Sequence, residues 1–358
     1  MNLSTERGMT SVRAMKSLLV AKGDYSGAAG YAMGQGWDNG PERMLRGAVG
    51  AQSTQDGSGV ELVGIPAADL MALVHAGEVA SRIPGINRVP FDCWLVAETG
   101  AASAGWVGEG VAAPASRGNL AAGFKLVRRK LVSISPISDE LARSSEGRAE
   151  LTIQRGMLKG IIGASDASLI DVTNAGIDQV RPKSITYGAP TIVVAGSTIA
   201  AIDAGIVAGI GTAVGLGSTL ETPVLVMHPI SAAYLTMLRN TNGTPAYPEL
   251  NLRAGGFLAG IPVLLSASVP RVGSPISSTI TLLDGSRIWL ASDPDMRLDY
   301  AKSAAIQMLD NPVGSSVAGG AGNAMVSMFQ TSSVAVRGIR YMSWAGAPGA
   351  AVVLTIPF

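Results

Sequence analysis

The run GWVGEGVAAPASRGNLAAGFKLVRRKLVSISPISDELARSS, residues 105–145, decides the fold. It reads as one strand limb, a tip, a long return strand and the start of a helix. The return limb, Phe124 to Ser135, is rich in β-branched and apolar residues, and Pro136 is its expected stop. As one strand of about 12 residues it would span roughly 40 Å at ~3.3 Å per residue, about twice the usual length. The tip, Val111 to Gly123, is mostly Ala, Gly, Ser and Asn with one Pro, and carries little that would anchor it. Phe124 and Leu126 share a face, Val127 fails to alternate with them, and Arg128, Arg129 and Lys130 place charge on both faces. A two-stranded hairpin is marginal alone in water. This one needs another surface to lie on, and a neighbouring subunit is the expected one.

The rest of the composition points the same way. A chain of 358 residues is long enough for two packed units. Charged residues make up 15% and the net charge is +1, against an ordinary charged share of ~25%. Gly accounts for 45 of 358 residues, about 13% against a usual ~7%. Such a chain has little charge to keep a monomer apart from its copies. Cys93 is the single cysteine, so no disulfide forms within the chain, which fits a reducing compartment. The two histidines, His75 and His228, form no metal motif. Near-neutrality argues against a dedicated DNA-binding module. No signal peptide is evident at the N-terminus.

Ala189 to Gly217 has the length of a membrane span, with Asp203 its only charge. Its Gly, Ser and Thr residues, its Pro, and the lack of flanking basic or aromatic belts argue otherwise. Ile199, Ile202, Ile206, Ile210 and Val214 fall on one helical stripe with Asp203 off it. The expectation is a buried strand, Thr191 to Ala195, followed by an amphipathic helix.

Residues 1–58 read as an N-terminal arm. Met9 to Lys22 is a helix candidate with Met9, Val12, Met15 and Leu19 on one stripe and Arg13 and Lys16 beside it. A second helix is expected from Pro41, the two being joined by a Gly/Ala-rich piece, Ser26 to Gly40, weak in every propensity. Neither helix has an evident local partner. Gln52 to Gly59 reads as a linker. Pro66 to Val79 is helical in pattern, and residues 83–98 read as short strands leading into the hairpin. Beyond the return strand, Ser138 is a good N-cap, with Asp139 and Glu140 in the first turn of a long helix to about Gly163. Ser165-Asp166 is then expected to cap a further short turn. Residues 185–283 mix strand and helix, with buried strands at Val224–Met227 and Gly260–Leu265. Alternation from Asp284 onward marks a second sheet region.

Catalytic patterns are missing. There is no G-x-S-x-G elbow and no P-loop, and the Gly34-x-Gly36 and Gly209-x-Gly211 runs lack the context of a dinucleotide site. His228, at the end of an apolar strand, reads as structural. Asp293 and Asp295 around Pro294 read as a turn. Trp106 with Glu109, on the outgoing hairpin limb, reads as a contact pair for a neighbour. Nothing argues for an enzyme or a cofactor.

Trp106-x-x-Glu109, Phe124-Lys125-Leu126-Val127, Lys130-Leu131 and Ser138-x-Glu140-Leu141-x-x-Ser144 resemble the major capsid protein of tailed phages with the Hong Kong 97-type fold. Ser165 to Leu169, Val226-Met227-His228-Pro229, Leu258-x-Gly260-x-Pro262-Val263, Val269-Pro270, Phe329-Gln330, Val336-Arg337 and Trp344 follow in matching order. The likeness covers about Val60 to Val353. It implies an α+β protomer: N-terminal arm 1–58, first part of a peripheral domain 59–91, extended loop 92–135, spine helix 136–184, axial domain 185–283, and peripheral sheet with C-terminus 284–358. It implies hexamers and pentamers closing an icosahedral shell around double-stranded DNA, assembled in the bacterial host cytoplasm. Partners would be further copies of the chain, a scaffold, a portal, a decoration protein, and packaged DNA contacted without sequence specificity; no membrane is involved. Trp106, Glu109, Arg117, Lys125, Arg128, Arg129 and Lys130 are the expected inter-subunit contacts.

Two departures stand out. Some relatives join subunits through a lysine–asparagine isopeptide bond from the extended loop. Here the tip offers Arg117 and Asn119, and the nearest lysine is Lys125 on the return limb, so no such cross-link is expected. Only about 58 residues precede the matched region, so either a separate scaffold protein or numbering that starts after processing is expected. The rival readings are an encapsulin-type shell around protein cargo and, more remotely, a membrane-associated surface protein.

Overall fold

The structure is a computed structural model. It describes residues 9–21, 24–37, 41, 65–66, 68–95, 98–100, 104–109, 119–120, 123–138, 140, 147–272, 277–301, 303–307 and 325–357. The chain divides into two compact units. The first comprises 1–74, 131–161 and 293–340, and the second 75–130, 162–292 and 341–358.

In the first unit the helix Met9–Val20 is buried on every side described from residue 12 to residue 18. Val12 and Met15 are buried as their spacing predicts, and the side chains of Met9 and Leu19 lie outside those described. Leu18, off the expected stripe, is buried as well, and Arg13 and Lys16 are buried too. Their cations lie 5.4 and 5.7 Å from the ring centroid of Trp37, whose π-face takes a positive charge that water no longer covers. The expectation that this helix lacks a local partner is therefore corrected. A second helix, Tyr25–Gly34, lies in the piece read as featureless and packs on the first. Asp24 starts it by accepting from the N–H groups of Ser26 and Gly27 at 3.1 and 2.9 Å, satisfying two donors that a helix end leaves unpaired. The expected helix from Pro41 lies outside the described residues beyond its first position.

The sheet of this unit pairs Ile65–Pro66 with Arg297–Ala301, and that strand with the first half of Ser333–Gly346, all antiparallel. Gly338 lies where the long helix crosses: a Cβ there would meet the Met157 Cε at 2.9 Å. The strand Arg129–Ser138 alternates half-buried and exposed residues almost throughout and runs past Pro136. Its one strand partner among the described residues is Ser333–Gly346, and an edge position tolerates a residue that lacks an N–H.

The second unit is built on an eight-stranded sheet. Its backbone order is Leu250–Asn251, Gly255–Leu258, Ile261–Leu265, Pro223–Met227, Ser277–Asp284, Ala351–Pro357 and Thr191–Val193, with Arg271–Val272 beside Ser277–Asp284. The predicted strands Val224–Met227 and Ile261–Leu265 are neighbours and parallel. Thr191–Val193, expected to be buried, is instead the end strand, with Val193 75% exposed. A short β-branched run reads the same at a sheet edge as at its centre. The helix Ile199–Gly215 follows as predicted, capped by Thr198, with Ile202 and Ile206 in the core beside Leu225, Ile280 and Leu354. Gly205 allows this approach, since a Cβ would meet the Val194 side chain at 2.6 Å. Among the described residues no helix is long and apolar enough to cross a membrane.

The long helix runs over Gly147–Ile170 and does not stop at Gly163. Ser138 is the last residue of the preceding strand and Glu140 is helical, while residues 139 and 141–146 lie outside the described set. Ser165 and Asp166 are therefore helical. Asp166 caps a different helix at long range, accepting from the Val79 N–H at 2.8 Å at the start of Val79–Arg82. The residue preceding that helix, Glu78, makes no side-chain cap of its own.

Candidate functional site

The hairpin lies in the second unit. Its limbs pair Trp94–Leu95 with Phe124–Lys125, and Glu98–Gly100 with Asn119–Leu120 across an irregular register. The outgoing limb is thus carried by Trp94–Leu95 and Glu98–Gly100, earlier in the chain than expected. Residues 104–109 continue beyond the last pair without strand structure. Trp106, far from packing on its own hairpin, is wholly exposed at 106% of its reference area, with Val107 and Glu109 exposed beside it. Arg117 lies outside the described residues.

The base of the hairpin is fixed by side chains from several segments of the same unit. Phe124 meets Trp289 edge to face, with ring centroids 5.4 Å apart. Leu126 is fully buried, and its carbonyl accepts from the Asp92 N–H at 2.9 Å. Asp92 adopts φ 63°, a left-handed conformation that Asp enters more readily than most residues. Its carboxylate pairs with Lys125 at 3.0 Å. Arg128 places its guanidinium over Phe91 at 5.0 Å and Tyr341 at 5.5 Å. Arg129 donates to the Ser343 Oγ at 2.8 Å. Beneath them, Asn87–Arg88 pairs parallel to Trp289–Leu290, and the Asn87 amide donates to the Ser286 carbonyl at 2.7 Å.

The basic cluster of the return limb therefore divides. Lys125, Arg128 and Arg129 each hold a group of their own unit, whereas Lys130 is exposed on the strand face that also carries Val132 and Ile134. The periodicity of the limb could not reveal this, because Phe91, Asp92, Tyr341 and Ser343 come from distant parts of the chain.

His228 is a helix cap. Its Nδ1 accepts from the Ile230 N–H at 3.1 Å at the start of Pro229–Met237. Burial, with Arg271 nearby, holds its pKa below the usual value, which favours the neutral form that capping requires. Among the described residues no three His, Cys, Asp or Glu side chains group as a metal site. The arrangement offers contact chemistry: an exposed stretch carrying Trp106, Val107 and Glu109 beyond a fixed base.

Solved structures share this architecture. One from Mycobacterium phage Ogopogo is 17% identical with TM-score 0.54, covering 78% of this chain and 92% of the other. One from Gordonia phage Cozz is 16% identical with TM-score 0.53, covering 86% and 96%. The capsid of the native GTA particle is 14% identical with TM-score 0.51, covering 78% and 90%. The fold is thus the α+β fold of phage capsid proteins. Residues 79–340 match the phage capsid family, and the chain belongs to that family. A curated relative, the capsid polyprotein of Pseudomonas phage PAJU2, is 27% identical over 370 residues, which cover 97% of this chain and 53% of the relative. The chain spans about half the length of that relative.

Proposed function

We propose that this chain is the major capsid protein of a tailed bacteriophage, a non-enzymatic subunit that assembles into hexamers and pentamers of an icosahedral shell around double-stranded DNA. The observation that carries the reading, beside family membership, is the hairpin: a fixed base and a wholly exposed tryptophan on the far side of its strand pairing. A lone monomer gains nothing from such a projection, whereas a shell subunit uses it to lie on a neighbour. Trp106, Glu109 and Lys130 are the contact residues this arrangement favours, and Arg117 joins them on its sequence position alone. Lys125, Arg128 and Arg129 contribute by holding the base. In this reading residues 92–135 are the extended loop, 136–184 carry the spine helix, 185–283 form the axial domain, and 59–91 with 284–358 form the peripheral domain. The arm, 1–58, contributes its first helices to the core of the first unit. A scaffold, a portal and a decoration protein are the expected partners, and assembly takes place in the host cytoplasm. The family match favours this over a shell around protein cargo.

The test is expression of the chain alone and with the candidate scaffold from the same genome, followed by negative-stain electron microscopy of the high-speed pellet. Closed shells or capsomer rings are expected. A monodisperse monomer under both conditions would refute the proposal.

A further inference from the structure

We propose that the Trp106–Glu109 projection of one copy seats in a specific cleft of a second copy, with the indole among apolar side chains and the Glu109 carboxylate meeting Lys183. This rests on the reading that the hairpin lies on a neighbouring subunit, and it names the seat.

The cleft lies within the second unit and has a volume of about 460 Å³, inside the ~300–1,000 Å³ range of pockets that enclose a side chain or small ligand. Tyr187, Pro190, Leu216 and Pro348 give it an apolar lining, with buried Trp344 among them. Lys183 is the only charged residue of that lining, and no carboxylate shares it. The cation is positioned: the Trp344 Nε1 donates to the Lys183 carbonyl at 2.9 Å, fixing its backbone, and the Lys183 Nζ lies 5.0 Å from the Tyr187 ring centroid. An apolar slot with one oriented cation selects an apolar group that has an acid close by.

The hairpin carries that complement. Residues 104–109 read Ala-Gly-Trp-Val-Gly-Glu, so Trp106 and Val107 stand three and two residues before Glu109, the only charge of the stretch. Within its own chain Trp106 is wholly exposed, so its own cleft does not hold it. Projection and cleft are different patches of one molecule, so joining them between copies makes a head-to-tail contact. Contacts of that kind close into rings when the rotation permits.

The first experiment is a charge exchange in the full chain, read as the yield of particles in the high-speed pellet. Glu109→Lys or Lys183→Glu alone should lower the yield about tenfold or more, because each sets like charges together in a desolvated contact. The double variant should recover most of it. Unchanged yield from both single variants, or no recovery in the double, overturns the pairing. The second experiment mixes two chains of different length, both carrying Cys93→Ser, one with Glu109→Cys and one with Lys183→Cys, and treats the particles with a short bis-maleimide. A linked heterodimer band is expected. Normal particles without that band overturn this seat while leaving the shell and its hairpin contacts standing. Normal particles from a chain whose residues 101–118 are replaced by a Gly-Ser linker would overturn both.

Discussion

Asp166 is the residue whose titration should be most visible in the stability of the second unit. It is 2% exposed, and its two carboxylate oxygens accept from the Val79 N–H and the Ser266 hydroxyl, each at 2.8 Å. Burial raises its pKa from 3.8 to about 6, with the Glu78 carboxylate adding to the rise and the two hydrogen bonds and Arg82 opposing it. A difference of about 2 pH units corresponds to about 3 kcal/mol at 1.36 kcal/mol per unit. The sign follows from proton counting: between pH 3.8 and about 6 the folded chain holds a proton that the unfolded chain has released. Stability from this group is therefore fully present below pH 3.8 and falls by up to ~1.4 kcal/mol per pH unit until about pH 6, where the loss is complete. Asp166→Asn keeps the shape and the Val79 cap without titrating. Urea unfolding of unassembled chain, followed by tryptophan fluorescence from pH 4 to 7.5, should show wild type losing about 3 kcal/mol relative to this variant as pH rises. Asp166→Ala, which strands the Val79 N–H and the Ser266 hydroxyl, should cost about 2–4 kcal/mol at pH 4.5. Parallel wild-type and Asp166→Asn curves across the range would refute the burial argument.

Three further outcomes follow from local geometry. His228 caps as a neutral acceptor with a lowered pKa, so its contribution is present above pH 6.5 and is lost as pH falls through the folded value. His228→Ala should cost about 1 kcal/mol at pH 7.5 and less at pH 5, while His228→Asn keeps the cap, all by urea unfolding. At Gly285 a Cβ would stand 1.8 Å from the Pro84 carbonyl oxygen, so Gly285→Ala must displace backbone. A loss of about 2–4 kcal/mol in the same assay is expected, and an unchanged midpoint would contradict the packing. Arg128→Ala removes both ring contacts at the hairpin base, worth about 1–2 kcal/mol together. Hydrogen exchange at residues 119–126 should speed up by about tenfold while the core strand 223–227 keeps its protection.

Much of this fold is legible in local pattern. The helix Ile199–Gly215 and the buried strands at 224–227 and 261–265 form as their patterns predict, although Val214, expected on the helix's apolar stripe, is exposed. The return limb, expected as one strand from Phe124 to Ser135, is instead two: Phe124–Lys125 and Arg129–Ser138, separated by residues 126–128, which turn to the contacts of the base. What misleads is polar chemistry whose partner is remote in sequence. Ser165-Asp166 looks like a local cap because a polar pair after Gly163 usually starts a turn. Its partners are Glu78 and Met342 for the serine, and Val79 and Ser266 for the aspartate. The helix Tyr25–Gly34 is hidden because its glycines offset the helix preference of its alanines. A capping aspartate and a packed neighbour decide it. The outgoing limb is misplaced because residues 96–105 lack alternation, while Trp106 draws the eye to an unpaired stretch.

The three basic residues that hold the base change what the rest of the hairpin is for. Each contact is small: a half-exposed ion pair contributes about 0.2–1 kcal/mol and an exposed cation–π contact about 0.5–1 kcal/mol. Yet Lys125 holds the left-handed Asp92, Arg128 lies over Phe91 and Tyr341, and Arg129 holds Ser343, with Phe124 against Trp289 and Leu126 buried. Together they tie the base of the hairpin to several segments of the unit. A projection with a loose base would lose orientational freedom each time it found a neighbour, and its tip would bind weakly for its area. With the base held beforehand, that loss is met during folding of the subunit. In the proposed shell, the short exposed stretch 104–109 then suffices for contact with a neighbour, because the basic residues of the return limb already hold the base.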